Sequence, residues 1–217
     1  MDLGIKNKVA LVLASSKGLG KAVALELATE GAKVIICGTD AAALAITEQE
    51  INAIAANKVL AVICDITDEA QRKNLVEQSV QTFGAIEILV TNTGGPAAGP
   101  FEQFKLDDWK HLYNLLFLSA VDIIQQVLPG MKQKGWGRIL TITSVAVKQP
   151  ADNLISSNAV RTSLLGLVKS LSTNNKITPP TNSATATVVA LSNIASIFFE
   201  NKNPNIIAGI TPIISFT

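Results

Sequence analysis

The run Val9-Ala-Leu-Val-Leu-Ala-Ser-Ser-Lys-Gly-Leu-Gly-Lys-Ala-Val23 decides the fold. Val9 to Ala14 is a short apolar strand, followed by a turn of small residues and a helix that opens on Gly18-Leu19-Gly20. A β-branched run of that length, bounded by polar residues, suits a buried parallel strand. Glycines at the turn let a backbone approach a ligand closely. The free N–H groups and positive end of the following helix then hold negative charge. A Gly-x-Gly alone is common in structural turns. Here it stands after a strand and before a helix, where a dinucleotide site needs it.

Working outward, strands and helices alternate. The pattern predicts a helix from Leu19 to Thr29 stopped by Gly31, a strand from Lys33 to Cys37, and an alanine-rich helix from about Ala41 to Ala56. Val59 to Cys64 forms the third strand, and Thr67 caps a helix from Asp68 to Phe83 that stops at Gly84. Glu87 to Thr91 is the fourth strand, and the glycine- and proline-rich segment from Asn92 to Pro100 is a loop. Asp107 or Asp108 begins a long helix that reaches about Val127 and closes at Pro129-Gly130. Gly137 to Thr143 is the fifth strand, and a helix covers about Asn153 to Ser172. Beyond it, Thr173 to Asn193 has no clear period, and Ile206 to Ile214 reads as a last strand. Such alternation means an α/β fold: one domain over residues 1–217 with a doubly wound, mainly parallel sheet of seven strands, strand one central. Ligands in such sheets sit at the carboxyl ends of the strands. Ala14 to Lys17, Asp65, Asn92 to Gly95 and Ser144 therefore converge on one crevice.

Composition narrows the function. With 217 residues and 48% apolar content, the chain can bury a substantial core. A net charge of +1 with no basic block argues against nucleic acid as the main partner. No apolar run approaches the roughly 18 residues of a membrane span. Lys6 and Lys8 before the first strand faintly resemble a signal peptide, but the apolar part is too short and leads straight into a glycine turn. Cys37 and Cys64 each fall near a strand end and read as small buried hydrophobes of a reducing cytosol, in preference to a disulfide or metal pair. With one histidine, His111, zinc chemistry has little support.

An ordered set of landmarks now adds up. Ser16-Lys17-Gly18-Leu19-Gly20, Cys64-Asp65-Ile66-Thr67, Asn92-Thr93-Gly94-Gly95, Trp109, Gly137-Arg138-Ile139 and Ile142-Thr143-Ser144 occur in sequence. Together they resemble the short-chain dehydrogenase/reductase family, nearest to a divergent branch of proteins labelled 3-oxoacyl-carrier-protein reductases. The match is good over about residues 4 to 172 and loose over Ile194 to Ile214. The resemblance implies an oxidoreductase that moves hydride between NADP(H) or NAD(H) and a small carbonyl or alcohol, in the cytoplasm.

The departures fall on the chemistry. Leu13 and Ala14 stand where the family has Thr-Gly. Its catalytic asparagine position holds Leu116, its serine is kept as Ser144, its tyrosine position holds Ser157 and its lysine position holds Arg161. A phenol can be tuned to neutral pH, whereas a serine hydroxyl is a far weaker acid. Ser157 therefore cannot simply replace the tyrosine. Ser157 and Arg161 share a helix face, and Arg161 offers five donors to a ribose hydroxyl or a substrate carboxylate. The same face would also serve as polar packing. Lys148, in the loop past Ser144, is a candidate proton source if it lies in a dry cleft; otherwise it is a solvated loop lysine. Tyr113, the single tyrosine, reads as packing and His111 as surface.

The family pattern places the cofactor on Ala14, Ser15, Ser16, Lys17, Gly18 and Leu19, with Asp65 and Ile66 flanking the adenine and Asn92, Gly94 and Arg161 near the ribose. Lys17 stands where NADP-preferring members carry a basic residue for the 2′-phosphate. NAD-preferring members place an acid at the end of strand two, and here that position is Gly38, followed by Thr39, which can add a donor, and Asp40. NADP is thus preferred and NAD remains possible. Small residues Ala159, Ser163, Gly166 and Ser170 recur along the helix that forms the family's main subunit interface, implying a homodimer or homotetramer, although the stripe could equally pack within the monomer. The family's substrate lid has no clear counterpart over residues 173–193, which implies a reduced lid or an incomplete sequence there. Loss of three catalytic positions keeps a second reading open, a catalytically silent dinucleotide-binding protein acting as sensor or assembly partner. Ala14 lends a little to a third, a relative that binds no nucleotide.

Overall fold

In the computed structural model, residues 3–174 and the strand at 187–191 are described. Six strands alternate with six helices: β1 (Val9–Val12), α1 (Gly18–Thr29), β2 (Lys33–Gly38), α2 (Ala41–Ile54), β3 (Leu60–Ile63), α3 (Glu69–Phe83), β4 (Ile88–Thr91), α4 (Leu106–Tyr113), α5 (Ser119–Lys134), β5 (Arg138–Ile142), α6 (Ile155–Asn174) and β6 (Thr187–Leu191). The strands form one parallel sheet in the order β3-β2-β1-β4-β5-β6. β1 is central, as its continuous apolar run requires, since both faces of such a strand are covered. Leu11, Ile35 and Leu89 face one layer, packing on Leu75 and Val76 of α3 and Ile123, Ile124 and Val127 of α5. Ala10, Val12, Ile36 and Val90 face the other, where Ala24 and Ala28 of α1 meet Leu44 and Ile51 of α2. The strand order reverses between β1 and β4, so the chain leaves the sheet in opposite directions there and opens a crevice.

Four boundaries differ from the sequence reading. The cap of α3 is Asp68, whose side chain accepts from Gln71 N at 3.0 Å; the Thr67 hydroxyl donates instead to Asp65. Pro129-Gly130 does not close the long helix, which runs on to Lys134 and ends at left-handed Gly135 (φ 63°). Pro129 lies on the exposed side, so the carbonyl it leaves without an N–H, that of exposed Gln125, can be met by water. α6 begins at Ile155, after left-handed Asn153 (φ 56°). The stretch expected to be irregular contains β6, paired with β5 from Arg138↔Thr187 to Ile142↔Leu191. Its Thr and Ala content hid a strand whose two faces are not told apart by alternation. The predicted seventh strand, Ile206 to Ile214, and most of the lid region lie outside the described residues.

One turn of π-helix, Asn114–Leu118, joins α4 to α5 into a continuous run, Leu106–Lys134. By length and composition alone that run could cross a membrane. Its Ala120, Ile123, Ile124, Val127 and Met131 are buried, and Ile123, Ile124, Val127 and Met131 belong to the core under the sheet, as in a core helix.

Candidate functional site

The carboxyl ends of β1 to β4 border a cavity of about 420 Å³. Its lining includes Ala14, Ser16, Lys17, Gly18, Leu19, Thr39, Asp65, Ile66, Asn92 and Gly94, ten of the residues read from sequence as cofactor-binding. Ser15 is not on the surface: it is wholly buried, donates to Val12 O at 2.7 Å and accepts from Cys37 N at 3.0 Å, stitching β1 to β2 beneath the turn. Gly38, Cys64, Thr93 and Leu115 complete the wall, and none of them was read as a ligand contact from sequence.

The turn is shaped by close approach. A Cβ on Gly20 would collide with Ala14 O and would lie 2.8 Å from Asn92 Nδ2 and 2.9 Å from Ser15 Cα. Only glycine fits there, and the helix packs against the strand end as a result. Gly18 is left-handed (φ 61°) with open space where a Cβ would be. Ala14 is also left-handed (φ 45°), a conformation that costs an L-residue about 1–2 kcal/mol, which gives a physical reason for glycine at that place in the family. The α1 N-terminus has no side-chain cap and no acidic residue in its first turn, so its N–H groups are open to an anion. Lys17 is the N-cap, is exposed, and makes no ion pair among the described residues. Lys21, by contrast, is held by Glu50 at 2.6 Å.

Neighbouring loops are fixed by residues the sequence reading passed over. Asp65 Oδ1 accepts from Thr67 N at 2.8 Å and from the Thr67 hydroxyl at 2.7 Å, an Asx-turn that leaves its other oxygen without a donor among the described residues. Gln71 accepts from Asp65 N at 2.8 Å, Arg72 donates to Ile66 O at 2.8 Å, and Asn114 in the π-turn donates to Thr67 O at 3.0 Å. Arg72 is itself held by Asp122 of α5. Gln71 and Arg72 reach back six residues from the start of α3, whereas Asn114 and Asp122 come from the α4–α5 run, 47 and 50 residues away, where no local pattern marks them. Asp40 is engaged as the N-cap of α2, accepting from Ala43 N at 3.0 Å. A side chain at Gly38 would meet Ser16 Oγ at 2.9 Å and Cβ at 3.1 Å, so an acid there would displace Ser16.

The catalytic candidates divide. Ser144 follows β5, is half-buried, and its Oγ accepts from Ala146 N at 3.2 Å, leaving the hydroxyl proton free to donate. Lys148 lies at the end of the next turn and is exposed, not in a dry cleft. Ser157 is buried and its hydroxyl makes no hydrogen bond among the described residues. Leu116 is fully buried and apolar. Arg161 is 7% exposed and donates to Ile142 O at 3.5 Å, Thr93 Oγ1 at 3.3 Å and Gly94 O at 3.3 Å. Burial pulls its pKa down from the guanidinium's ordinary value, though arginine stays charged in proteins. Neither Ser144, Lys148, Ser157 nor Arg161 lines the cavity itself; Arg161 reaches its wall through Thr93 and Gly94. Tyr113 is 41% exposed and stacks on Phe117 at 5.0 Å, and His111 is exposed.

Two free thiols lie at the crevice, Cys64 in its wall and Cys37 beneath it. Cys37 in β2 and Cys64 just past β3 are both buried, and the Cys37 Sγ donates to Val12 O at 3.8 Å; the proximity of the two thiols pushes Cys37 up and draws Cys64 down. No cluster of three or more metal-ligating residues occurs among the described residues.

Comparisons with known proteins agree with this geometry. The family described as short chain dehydrogenase matches residues 8–198. The 7alpha-hydroxysteroid dehydrogenase of Escherichia coli (strain K12) is 31% identical over 170 residues, 78% of this chain and 66% of that protein. L-Sorbose reductase from Gluconobacter frateurii, solved with NADPH and L-sorbose, superposes with a TM-score of 0.77 at 29% identity, covering 80% of this chain and 66% of that one. A 7 alpha-hydroxysteroid dehydrogenase solved with NADH and 7-oxo glycochenodeoxycholic acid gives 0.79 at 28% identity, over 87% and 71% of the two chains. The match thus spans about two thirds of these relatives' lengths. With the strand order, the glycine turn and the crevice in place, the family match over residues 8–198 identifies the chain as a member of the short-chain dehydrogenase family.

Proposed function

We propose that the crevice binds a nicotinamide dinucleotide, NADP(H) in preference to NAD(H), and that the protein moves hydride between it and a small carbonyl or alcohol. The observation that carries this reading is the open end of α1: an uncapped helix N-terminus beside an unpaired Lys17, at the mouth of a 420 Å³ cavity. The pyrophosphate fits the free N–H groups, and the glycine at 20 allows the close approach described above. The free oxygen of Asp65 can accept from the adenine amino group. Lys17 can pair with a 2′-phosphate. Gly38 carries no carboxylate and Asp40 serves as a cap, so the usual acidic partners of an unphosphorylated ribose are missing. Relatives solved with NADPH and with NADH are both known, so the preference rests on Lys17.

When bound, the nicotinamide supplies the hydride. This chain's own residues bind it, hold the substrate oxygen and exclude alternatives. Ser144 keeps its Oγ fixed by Ala146 N and directs its proton to the substrate oxygen. The balancing proton comes from solvent, because Arg161 is permanently charged and Lys148 is exposed. Exposed Leu106, Tyr113 and Leu118 on the α4–α5 run, with exposed Ala159, Gly166 and Ser170 on α6, fit a homodimer or homotetramer. Free thiols fit the cytoplasm.

The test is turnover of NADPH on a panel of ketones and aldehydes, with Ser144→Ala beside the wild type. The serine change lowers kcat about a hundredfold or more, by comparison with loss of one oxyanion donor. One observation favours the silent dinucleotide-binding reading: Leu116 offers no polar group, Ser157 is a weak acid, and Arg161 is spent on the crevice wall. A wild type that binds NADPH tightly yet reduces nothing on a broad panel would decide for it.

A further inference from the structure

The loop after β4 is held in an uneven way. At its start Asn92 Nδ2 donates to Ala14 O at 3.1 Å. At its far end Gly99 N donates to Asn153 O at 2.6 Å, and Gly99 pairs with Leu154 just before α6. Between them lie Thr93, Gly94 and Gly95, and neither glycine has a neighbour within 4 Å of where a Cβ would stand. Among the described residues, the hydrogen bonds on Thr93 and Gly94 are those from Arg161. The same guanidinium reaches Ile142 O at the end of β5. Arg161 is nearly buried, and no carboxylate of the described residues pairs with it. A buried cation is tolerated here because oxygen acceptors surround it. Its planar fork spans acceptors on two strands' ends, which the point charge of an ammonium cannot do.

We infer that Arg161 is a positioning residue: it fixes the Thr93–Gly94 wall of the crevice and so sets the affinity for the dinucleotide, without carrying a proton. The inference rests on the dinucleotide reading of the crevice. It also assigns α6 a task beyond packing, since this helix and the residues before it supply two of the three ties on the loop. A shift of α6 is thereby passed to the cofactor wall.

The experiment uses the full chain with Arg161→Met and Arg161→Lys. Nicking of the loop at residues 93–98 by proteinase K is followed by mass spectrometry, and NADPH affinity by fluorescence titration. Loss of charge-assisted hydrogen bonds predicts roughly tenfold faster nicking of the loop and roughly tenfold weaker NADPH binding in Arg161→Met. Cleavage elsewhere in the chain stays at the wild-type rate, which separates a loosened loop from general unfolding. Arg161→Lys keeps the charge, and serves if the methionine variant does not fold; its loop is still nicked faster, because one ammonium cannot hold both Thr93 and Gly94. Wild-type nicking over 93–98 in both variants, with wild-type NADPH affinity, overturns the inference. A wild type that binds no NADPH overturns the dinucleotide reading instead, while the nicking rates still decide whether Arg161 holds the loop.

Discussion

Gly20→Ala probes the turn on which the crevice depends. An added Cβ meets backbone on two sides, Ala14 O and Ser15 Cα at 2.9 Å, and the Asn92 amide at 2.8 Å. The amide can swing away, but then it abandons Ala14 O. The backbone atoms cannot yield cheaply, because Ser15 is stitched to β2 through Cys37. Overpacking costs about 1–3 kcal/mol, and this site belongs at the upper end. Replacing glycine by alanine inside a helix returns about 1 kcal/mol. The net loss is about 2 kcal/mol, equivalent to a fall of about 4–8 °C in Tm for a chain of this size. Thermal unfolding followed by circular dichroism reads the stability, and fluorescence titration reads NADPH binding, which weakens with it as α1 is pushed off the strand end. Gly95→Ala is the control: it has open space and no left-handed φ, so its Tm stays level or rises slightly. A Gly20→Ala protein as stable as the wild type, with unchanged binding, would refute the close-approach argument.

Three further predictions concern the cofactor and the chemistry. Asp40→Ala costs about 1 kcal/mol in stability through loss of the α2 cap, and leaves the ratio of NADPH to NADH affinity untouched; a shifted ratio means the carboxylate serves the ribose after all. Lys17→Glu weakens NADPH far more than NADH, since an ion pair with a phosphate becomes a repulsion, and equal losses in a titration of both cofactors contradict that placement. The pair Ser157→Tyr with Arg161→Lys, assayed on the carbonyl panel, damages a working wild type by filling space its substrate needs, whereas a silent wild type gains activity from the restored family pattern.

Much of the fold was legible because its signals are local. The apolar run of β1, the glycine turn and the strand–helix alternation gave the parallel order and the crevice without reference to contacts between distant residues. Ends of elements were less legible where a rule met tertiary context. Pro129 reads as a stop, yet on the solvent side of α5 its missing N–H is tolerated. β6 was hidden by small and β-branched residues without alternation. At the site, residues adjacent in sequence to the strand ends were readable, while those that hold the loops were not: Gln71 and Arg72 turn back from the first turn of α3, and Asn114 reaches Thr67 from a distant helix. Ser15 was read with the cofactor contacts, yet its side chain turns inward, because from sequence a serine in a turn is not distinguished from one that replaces a backbone partner. Arg161 was readable as a cation on the right helix face, but its attachment to Thr93 and Gly94 depends on a loop whose path no periodicity predicts.

The central claim is that the open α1 terminus and Lys17 make a dinucleotide site, and the most direct measurement is calorimetric titration of the full chain with NADPH and with NADH. The account predicts saturable binding of both at one site per chain, with NADPH the tighter ligand and that advantage lost in Lys17→Glu. No heat of binding with either cofactor up to millimolar concentration, from a chain shown to be folded, would contradict it.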